Sequence, residues 1–117
     1  MLAIYTVYTT PSGKRSFNKL PQEVRQHLLL ELQELKINPL KGEKLKGALG
    51  FLRSVHTHYK ASDYRVAYEV IEKAFEIVVH YAASRENFYR QLSRLNLKRV
   101  KWYEPTRFIS SQTPRFR

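Results

Sequence analysis

The fold is decided by residues 64–70, which read YRVAYEV, and by residues 75–82, which read FEIVVHYA. Both stretches are rich in β-branched and aromatic residues, the composition typical of strands. A third stretch of this kind precedes them, and the turns near residues 61–63 and 72–74 are short enough for antiparallel pairing. The sequence therefore predicts a three-stranded antiparallel meander over residues 51–60, 64–72 and 75–82.

A long amphipathic helix is predicted over residues 21–36. Apolar residues recur there at helical spacing, at Val24, Leu28, Leu32 and Leu35. Pro21 suits the first helical position, where its missing N–H group is not needed. The helix is expected to end before Pro39, because proline disfavours helical geometry in the residue before it.

The remaining elements have shorter signals. Residues 2–9 indicate a strand, residues 14–20 a short helix, and residues 41–50 a loop punctuated by glycines. Residues 84–95 indicate a helix with Ser84 as its N-cap and an apolar stripe of Phe88, Leu92 and Leu95. The predicted fold is α+β: an N-terminal strand and helices packed on one face of a mostly antiparallel sheet, which ends in the meander and a C-terminal helix. The other face is expected to be open to a substrate, with Tyr64 and Tyr68 in the core.

Composition limits the class of protein. The 117 residues suit one domain, predicted at residues 1–95, followed by a basic aromatic tail at residues 96–117. The formal net charge of +11 favours a polyanionic partner; a charge surplus that aids solubility, or an acidic protein partner, is the alternative. The lack of cysteine excludes disulfides and thiolate metal sites. A cytoplasmic location without membrane contact is expected, because neither a long apolar run nor a signal peptide is recognisable.

Two histidines and a lysine share one face of the strand at residues 51–60. His56, His58 and Lys60 alternate with other residues, and residues two apart in a strand point the same way. The histidines are about 7 Å apart along the strand. Because an unperturbed imidazole titrates near pH 6.5, one neutral and one protonated ring could serve as base and acid on an RNA phosphodiester, with Arg65 as a phosphate ligand. A solvated sheet face, or a zinc site that includes His80, is the alternative.

Further basic residues that could bind RNA lie in the loop and the tail. They are Lys41, Lys44, Lys46, Lys98, Arg99 and Lys101. In the tail, aromatic residues are interleaved with the cations, a mixture that can follow a nucleic-acid backbone and stack on bases. Lysines in such a loop more often form a solvated surface than a binding patch, and the tail could pack on the body through its aromatics. Both alternatives stay open.

Several short motifs, taken in order, resemble the RelE/ParE superfamily of toxins from type II toxin–antitoxin pairs. They are Leu20-Pro21, Asn38-Pro39-Leu40, Leu45-Lys46-Gly47, Asp63-Tyr64-Arg65-Val66, and Arg85 followed four residues later by Tyr89. The resemblance spans roughly residues 2–95. No single motif is specific, but their order and spacing together are.

The resemblance implies a function and roles for individual residues. The RelE branch cleaves messenger RNA on the ribosome, and the ParE branch inhibits DNA gyrase. By this resemblance Arg65 would contact the scissile phosphate, Tyr89 would stack on or orient a base, and Arg85 would be a basic residue at the strand-to-helix turn. His56 and His58 stand where RelE has two lysines.

The expected function is therefore that of a ribosome-dependent endoribonuclease, held by a cognate antitoxin and acting without a metal or other cofactor. A gyrase-inhibiting toxin and a non-catalytic nucleic-acid-binding module are the alternatives.

Overall fold

The computed structural model describes residues 4–99, which form one five-stranded sheet and three α-helices within that range. Two single 3₁₀ turns, at Gly47–Leu49 and Glu72–Ala74, lie in the connections. The elements in chain order are β1 (Thr6–Thr9), α1 (Pro11–Asn18), α2 (Gln22–Leu35), β2 (Glu43–Lys44), β3 (Leu52–Tyr59), β4 (Ser62–Ile71), β5 (Glu76–Ser84) and α3 (Arg85–Leu92).

The sheet has the strand order β1-β5-β4-β3-β2. The strands β3, β4 and β5 are consecutive and antiparallel, which confirms the predicted meander. β1 joins it in parallel beside β5, so the N-terminal strand lies at one edge. The α+β prediction, with its mostly antiparallel sheet, is therefore confirmed.

The loop predicted at residues 41–50 is partly wrong, because it contains the edge strand β2. Glu43 pairs with Ser54 and Lys44 with Arg53 in an antiparallel register. A strand of two residues is too short for the alternation of apolar and polar residues to be recognised in the sequence. The strand is held by tertiary contacts instead: the Arg53 guanidinium donates to the Gly42 carbonyl oxygen at 2.8 Å, and the buried Tyr68 hydroxyl accepts from the Gly42 N–H at 2.9 Å.

The helix α1 begins three residues earlier than predicted. Thr10 is its N-cap and accepts a hydrogen bond from the Gly13 N–H, while Pro11 occupies the first turn. Gly13 is buried within the helix. Only glycine fits there, because a Cβ at this position would lie 2.4 Å from the Val79 carbonyl oxygen. Gly13 thus permits close packing of α1 on β5 directly after β1 ends at Thr9.

One face of the sheet carries the main core with α1 and α2. The predicted stripe of α2 is fully buried there, and Tyr68 lies in the same cluster with Tyr64 packed against it. Large side chains of this core include Phe17, Leu28, Leu32, Leu35 and Ile77. The prediction that both tyrosines are core residues is confirmed for Tyr68 and holds in part for Tyr64, which is half-buried.

The opposite face is not open along its whole length, which corrects the expectation of a bare substrate surface. A second cluster of Leu52, Ala67, Ala83, Phe88 and Leu92 packs there, and α3 supplies two of its members. Phe88 is fully buried because α3 turns back onto the sheet directly after β5. Leu95 was predicted to extend this stripe, but α3 ends at Leu92 and Leu95 is exposed.

The boundary between a domain at residues 1–95 and a tail at residues 96–117 stays a prediction. Leu97 still packs against the second cluster. Most of the tail, including Lys101, lies outside the described residues.

Two leucines on α2 give a matched test of the packing. Leu32→Ala is expected to lower the free energy of unfolding by about 2–5 kcal/mol, because it removes buried methyl groups and leaves a cavity. Leu30→Ala removes the same atoms from a side chain that is 63% exposed and is expected to change it by about 0.5 kcal/mol or less. Urea unfolding of both variants checks this; equal losses would contradict the assigned face of α2.

Candidate functional site

The register of β3 and β4 brings the histidines next to charged partners. His56 lies directly opposite Arg65, and His58 lies directly opposite Asp63. All four side chains emerge from the same face of the sheet. His56 and His58 are two apart in β3, Asp63 and Arg65 are two apart in β4, and residues directly opposite each other share a face. The predicted juxtaposition of both histidines with Arg65 is thus present in the structure.

His58 is held by Asp63, a residue of the Asp63-Tyr64-Arg65-Val66 motif for which the sequence predicted no role at the site. The His58 Nδ1 and an Asp63 carboxylate oxygen lie 2.6 Å apart. This hydrogen bond is the main reason that the pKa of Asp63 lies below its ordinary value, with nearby His56 and Arg65 acting in the same direction. An ionised carboxylate only accepts hydrogen bonds, so Nδ1 is assigned the proton and Nε2 is left to exchange one with a substrate.

The Asp63 interaction predicts a pH dependence with a definite sign. A carboxyl group whose pKa is lowered by folding stabilises the folded chain above about pH 3.9 and loses that contribution as the pH falls through the lowered value. In His58→Ala we expect the pKa of Asp63 to rise toward its ordinary value. An NMR titration of the side-chain carboxyl carbon measures this, with His27→Ala on the exposed surface of α2 as the control. An unchanged Asp63 titration in His58→Ala would contradict the geometry.

Arg65 combines partial burial with a positive charge that has no ion-pair partner within residues 4–99. Its guanidinium carbon lies 5.5 Å from the centre of the Tyr89 ring, in a cation–π arrangement. Its Nε is buried without a hydrogen-bond partner, and within residues 4–99 no carboxylate is paired with it. Tyr89 thus orients a cation whose buried Nε has no acceptor within residues 4–99, and such a cation is suited to bind an anion.

The start of α3 completes the site. Ser84 caps the helix by accepting from the Asn87 N–H, and Arg85 is the first helical residue, as predicted. One turn later, Tyr89 is 51% exposed. An open pocket of about 520 Å³ lies between this turn and the β3–β4 hairpin. It is lined by His58, Ala61, Ser62, Asp63, Ser84, Arg85, Glu86 and Tyr89.

The loop lysines are not gathered at this pocket. Lys41 forms ion pairs with Glu31 and Glu34 of α2, and these hydrogen bonds raise its pKa. Lys44 lies on the edge strand β2, paired with the end of β3 away from His58, and Lys46 is exposed in the following loop. Their role in RNA binding stays a prediction.

Three other predicted RNA ligands lie elsewhere. Lys60 occupies the β3–β4 turn with a positive φ of 56° and its ammonium group over the Tyr59 ring. Arg99 lies over the Phe51 ring, and its guanidinium is 4.0 Å from Glu69. Lys98 is exposed beside it. Of these three residues, Lys60 is nearest in sequence to residues that line the pocket, since it lies between His58 and Ala61.

His80 is not positioned with the other two strand histidines. It lies at the irregularity where β5 gains a residue relative to β4, and its Nε2 is 3.1 Å from a Glu69 carboxylate oxygen. Both side chains are only 4% exposed. Among residues 4–99, no group of three or more His, Cys, Asp or Glu side chains is arranged to hold a metal ion.

Within the described part of the chain, none of the helices has the length and apolar character needed to cross a membrane.

The chain was compared with protein families and with solved structures. A family model described as a ParE-like toxin of type II bacterial toxin–antitoxin systems matches residues 7–93. No protein with a curated description matches the sequence.

Among solved structures, a mutant of the E. coli toxin RelE in the free state is similar, with a TM-score of 0.63 and 23% identity over 80% of this chain and 99% of that one. The RelBE2 toxin–antitoxin complex from Mycobacterium tuberculosis gives a TM-score of 0.60 and 24% identity over 73% of this chain and 95% of that one. An archaeal RelE–RelB complex from Pyrococcus horikoshii gives 0.53 and 23%, over 70% and 96%. At these identities the likeness shows a shared fold.

Proposed function

Because the chain belongs to the ParE-like toxin family of type II bacterial toxin–antitoxin systems, we propose that it is a ribosome-dependent endoribonuclease acting on messenger RNA. One observation carries the proposal: His56 and His58 stand on the same face as Arg65, a cation with no protein counterion within residues 4–99. Two proton carriers beside a phosphate ligand are the groups that RNA cleavage by its own 2′-hydroxyl requires.

The reaction begins with attack of the 2′-hydroxyl oxygen on the adjacent phosphorus. One imidazole takes the proton of that hydroxyl, and the other gives a proton to the departing 5′-oxygen. The new P–O bond closes a 2′,3′-cyclic phosphate, and the broken P–O bond leaves a 5′-hydroxyl end. His58 exchanges its proton at Nε2, since Nδ1 is held by Asp63.

Arg65 stabilises the negative charge that builds up on the phosphorane oxygens. Its planar guanidinium can donate to two oxygens at once, and no carboxylate among residues 4–99 forms an ion pair with it. Arg85, at the first position of α3, supplies a second cation on the other side of the pocket. Tyr89 holds the Arg65 guanidinium against its ring while half its surface remains available to stack on a base.

The ribosome is required for a physical reason. The pocket offers few groups that could read a base, so a free RNA would gain little affinity beyond electrostatic attraction to a chain of net charge +11. A ribosome presents the message in a fixed place and so supplies the orientation that this small site lacks. An acidic or amphipathic antitoxin is the proposed protein partner. Its binding would cover the basic face.

Induction of the chain in a bacterium tests the function. We expect growth arrest together with new messenger RNA ends that fall within translated codons, mapped by sequencing of 5′ ends. Co-expression of the antitoxin should suppress both.

A gyrase-directed toxin is the second candidate, because the matching family model is named for ParE. In that case the same induction would break DNA and leave messenger RNA intact.

A further inference from the structure

A second pocket, of about 460 Å³, lies on the other side of α3 from the candidate site. Its walls are the end of α1, the last residues of β5, the start of β4 and the outer flank of α3. Ser84 lines both pockets, so they meet at the N-terminus of α3. Asn87 and Gln91 face the second pocket and Glu86 and Tyr89 the first, which makes the helix a ridge between two adjoining depressions.

The second pocket exists because β5 is longer than its neighbour. β1 pairs with β5 only as far as Val79, and α1 takes its place beyond that point. The Ser16 hydroxyl accepts from the Ala82 N–H at 3.0 Å and donates to the Gly13 carbonyl oxygen at 2.9 Å. This part of the wall is therefore fixed, with its polar groups satisfied.

The other lining side chains offer what a nucleobase needs. Two phenols, Tyr64 and Tyr81, present aromatic surface, and burial raises the pKa of Tyr81, so its hydroxyl stays protonated. The side-chain amides of Asn87 and Gln91 have no hydrogen-bond partner within residues 4–99. Amides pair with base edges as donor and acceptor together, and aromatic rings stack on base faces.

The charge around the second pocket also suits RNA. Lys19 lines it and no carboxylate does, whereas the first pocket contains Asp63 and Glu86. Its volume lies within the range of about 300–1,000 Å³ typical of small-molecule sites. A strand of RNA that passes the start of α3 would thus meet a place for the reacting phosphate on one flank and a place for a base on the other.

We propose that the second pocket binds the nucleobase next to the cleaved phosphodiester and sets the base preference of cleavage. This inference rests on the proposed nuclease function and adds a specificity site to it. Asn87 and Gln91 read the base edge, and Tyr64 or Tyr81 contacts its face.

Base preference is the first test. Single-turnover cleavage on programmed ribosomes is measured for messages that carry each of the four bases on either side of the cleaved bond. The Asn87→Ala, Gln91→Ala double variant is expected to lower the ratio of best to worst base at one flank by about tenfold, through a slower reaction of the preferred base. Gln26→Ala, on the exposed surface of α2, should keep the parental ratio. A parent without base preference, or a double variant that keeps it, would overturn the proposal.

Photo-crosslinking separates this proposal from the nuclease function. The full chain is irradiated with a short RNA that has 5-bromouracil bases and 2′-O-methyl sugars, which prevent cleavage, and the crosslinked peptide is identified by mass spectrometry. We expect a crosslink to Tyr64 or Tyr81. If the chain cuts no RNA but this crosslink forms, the nuclease function fails and the role in cleavage preference fails with it, and only base binding by the pocket is left. If the chain cuts RNA but the crosslink is absent or lies elsewhere, the base site fails alone.

Discussion

Arg65→Ala is expected to lower the single-turnover rate of messenger RNA cleavage by about 10³-fold and to abolish growth arrest. The variant removes the one guanidinium that lies opposite His56 and has no protein counterion within residues 4–99. Its loss leaves the charge on the phosphorane oxygens without the nearest donor. Cleavage on programmed ribosomes and growth after induction are the measurements.

The fold should tolerate this substitution. Within residues 4–99 the buried Nε of Arg65 has no partner, so the substitution takes away an unsatisfied donor, together with the contact with the Tyr89 ring and the weak attraction to Asp63. We expect the free energy of unfolding to change by about 1 kcal/mol or less. Antitoxin binding should also be retained.

Two further arginine variants sharpen the test. Arg65→Lys keeps the charge but cannot hold two oxygens in one plane, so only a small part of the activity should return. Arg94→Ala removes an exposed guanidinium just beyond α3 and should leave cleavage unchanged. Full activity in Arg65→Ala would eliminate the nuclease site and leave a gyrase-directed or binding role.

His58→Ala is expected to slow cleavage by about 10²–10⁴-fold, because the substrate loses one of its two proton carriers. One limb of the pH–rate profile should disappear with the ring. Asp63→Asn removes the charge and places an amide beside Nδ1 that can donate as well as accept, so it is expected to slow cleavage too, by favouring the wrong tautomer of His58. His56→Ala should remove the other limb.

The exposed His27 on α2 gives the matched control, and His27→Ala should cut at the parental rate. Full activity in the His56→Ala, His58→Ala double variant would rule out proton transfer by the histidines. The role of Arg65 is tested separately by its own variants.

The parts of the fold that were predictable are those with a long repeat in the sequence. The meander and α2 each extend over enough residues for alternation or helical spacing to be seen, and the structure has both within two residues of their predicted bounds. β2 was missed because its two residues are held by Arg53 and Tyr68 from other strands. The early start of α1 was missed because the role of Gly13 depends on Val79, which is 66 positions away in sequence.

In the candidate site, too, local patterns were visible in the sequence, whereas contacts between distant elements were not. Alternation within a strand placed His56 and His58 on one face, but the partner of each depended on the register across the turn, which the spacing alone did not fix. Asp63 was missed for that reason, since it was assigned to a turn and in fact pairs with His58. Lys41 was chosen by charge, and its pairing with Glu31 and Glu34 could not be foreseen without knowing where α2 lies.

The most direct test of the central claim is the chemistry of the cut ends. Purified chain is mixed with ribosomes carrying a labelled message, and the products are analysed by mass spectrometry and end-specific ligation. We predict a 2′,3′-cyclic phosphate on the upstream fragment and a 5′-hydroxyl on the downstream one. A message with a single 2′-deoxy sugar at the cut position should remain intact. Cleavage of the 2′-deoxy message, or a 5′-phosphate on the downstream fragment, would contradict attack by the 2′-hydroxyl with His56, His58 and Arg65 as its catalytic groups.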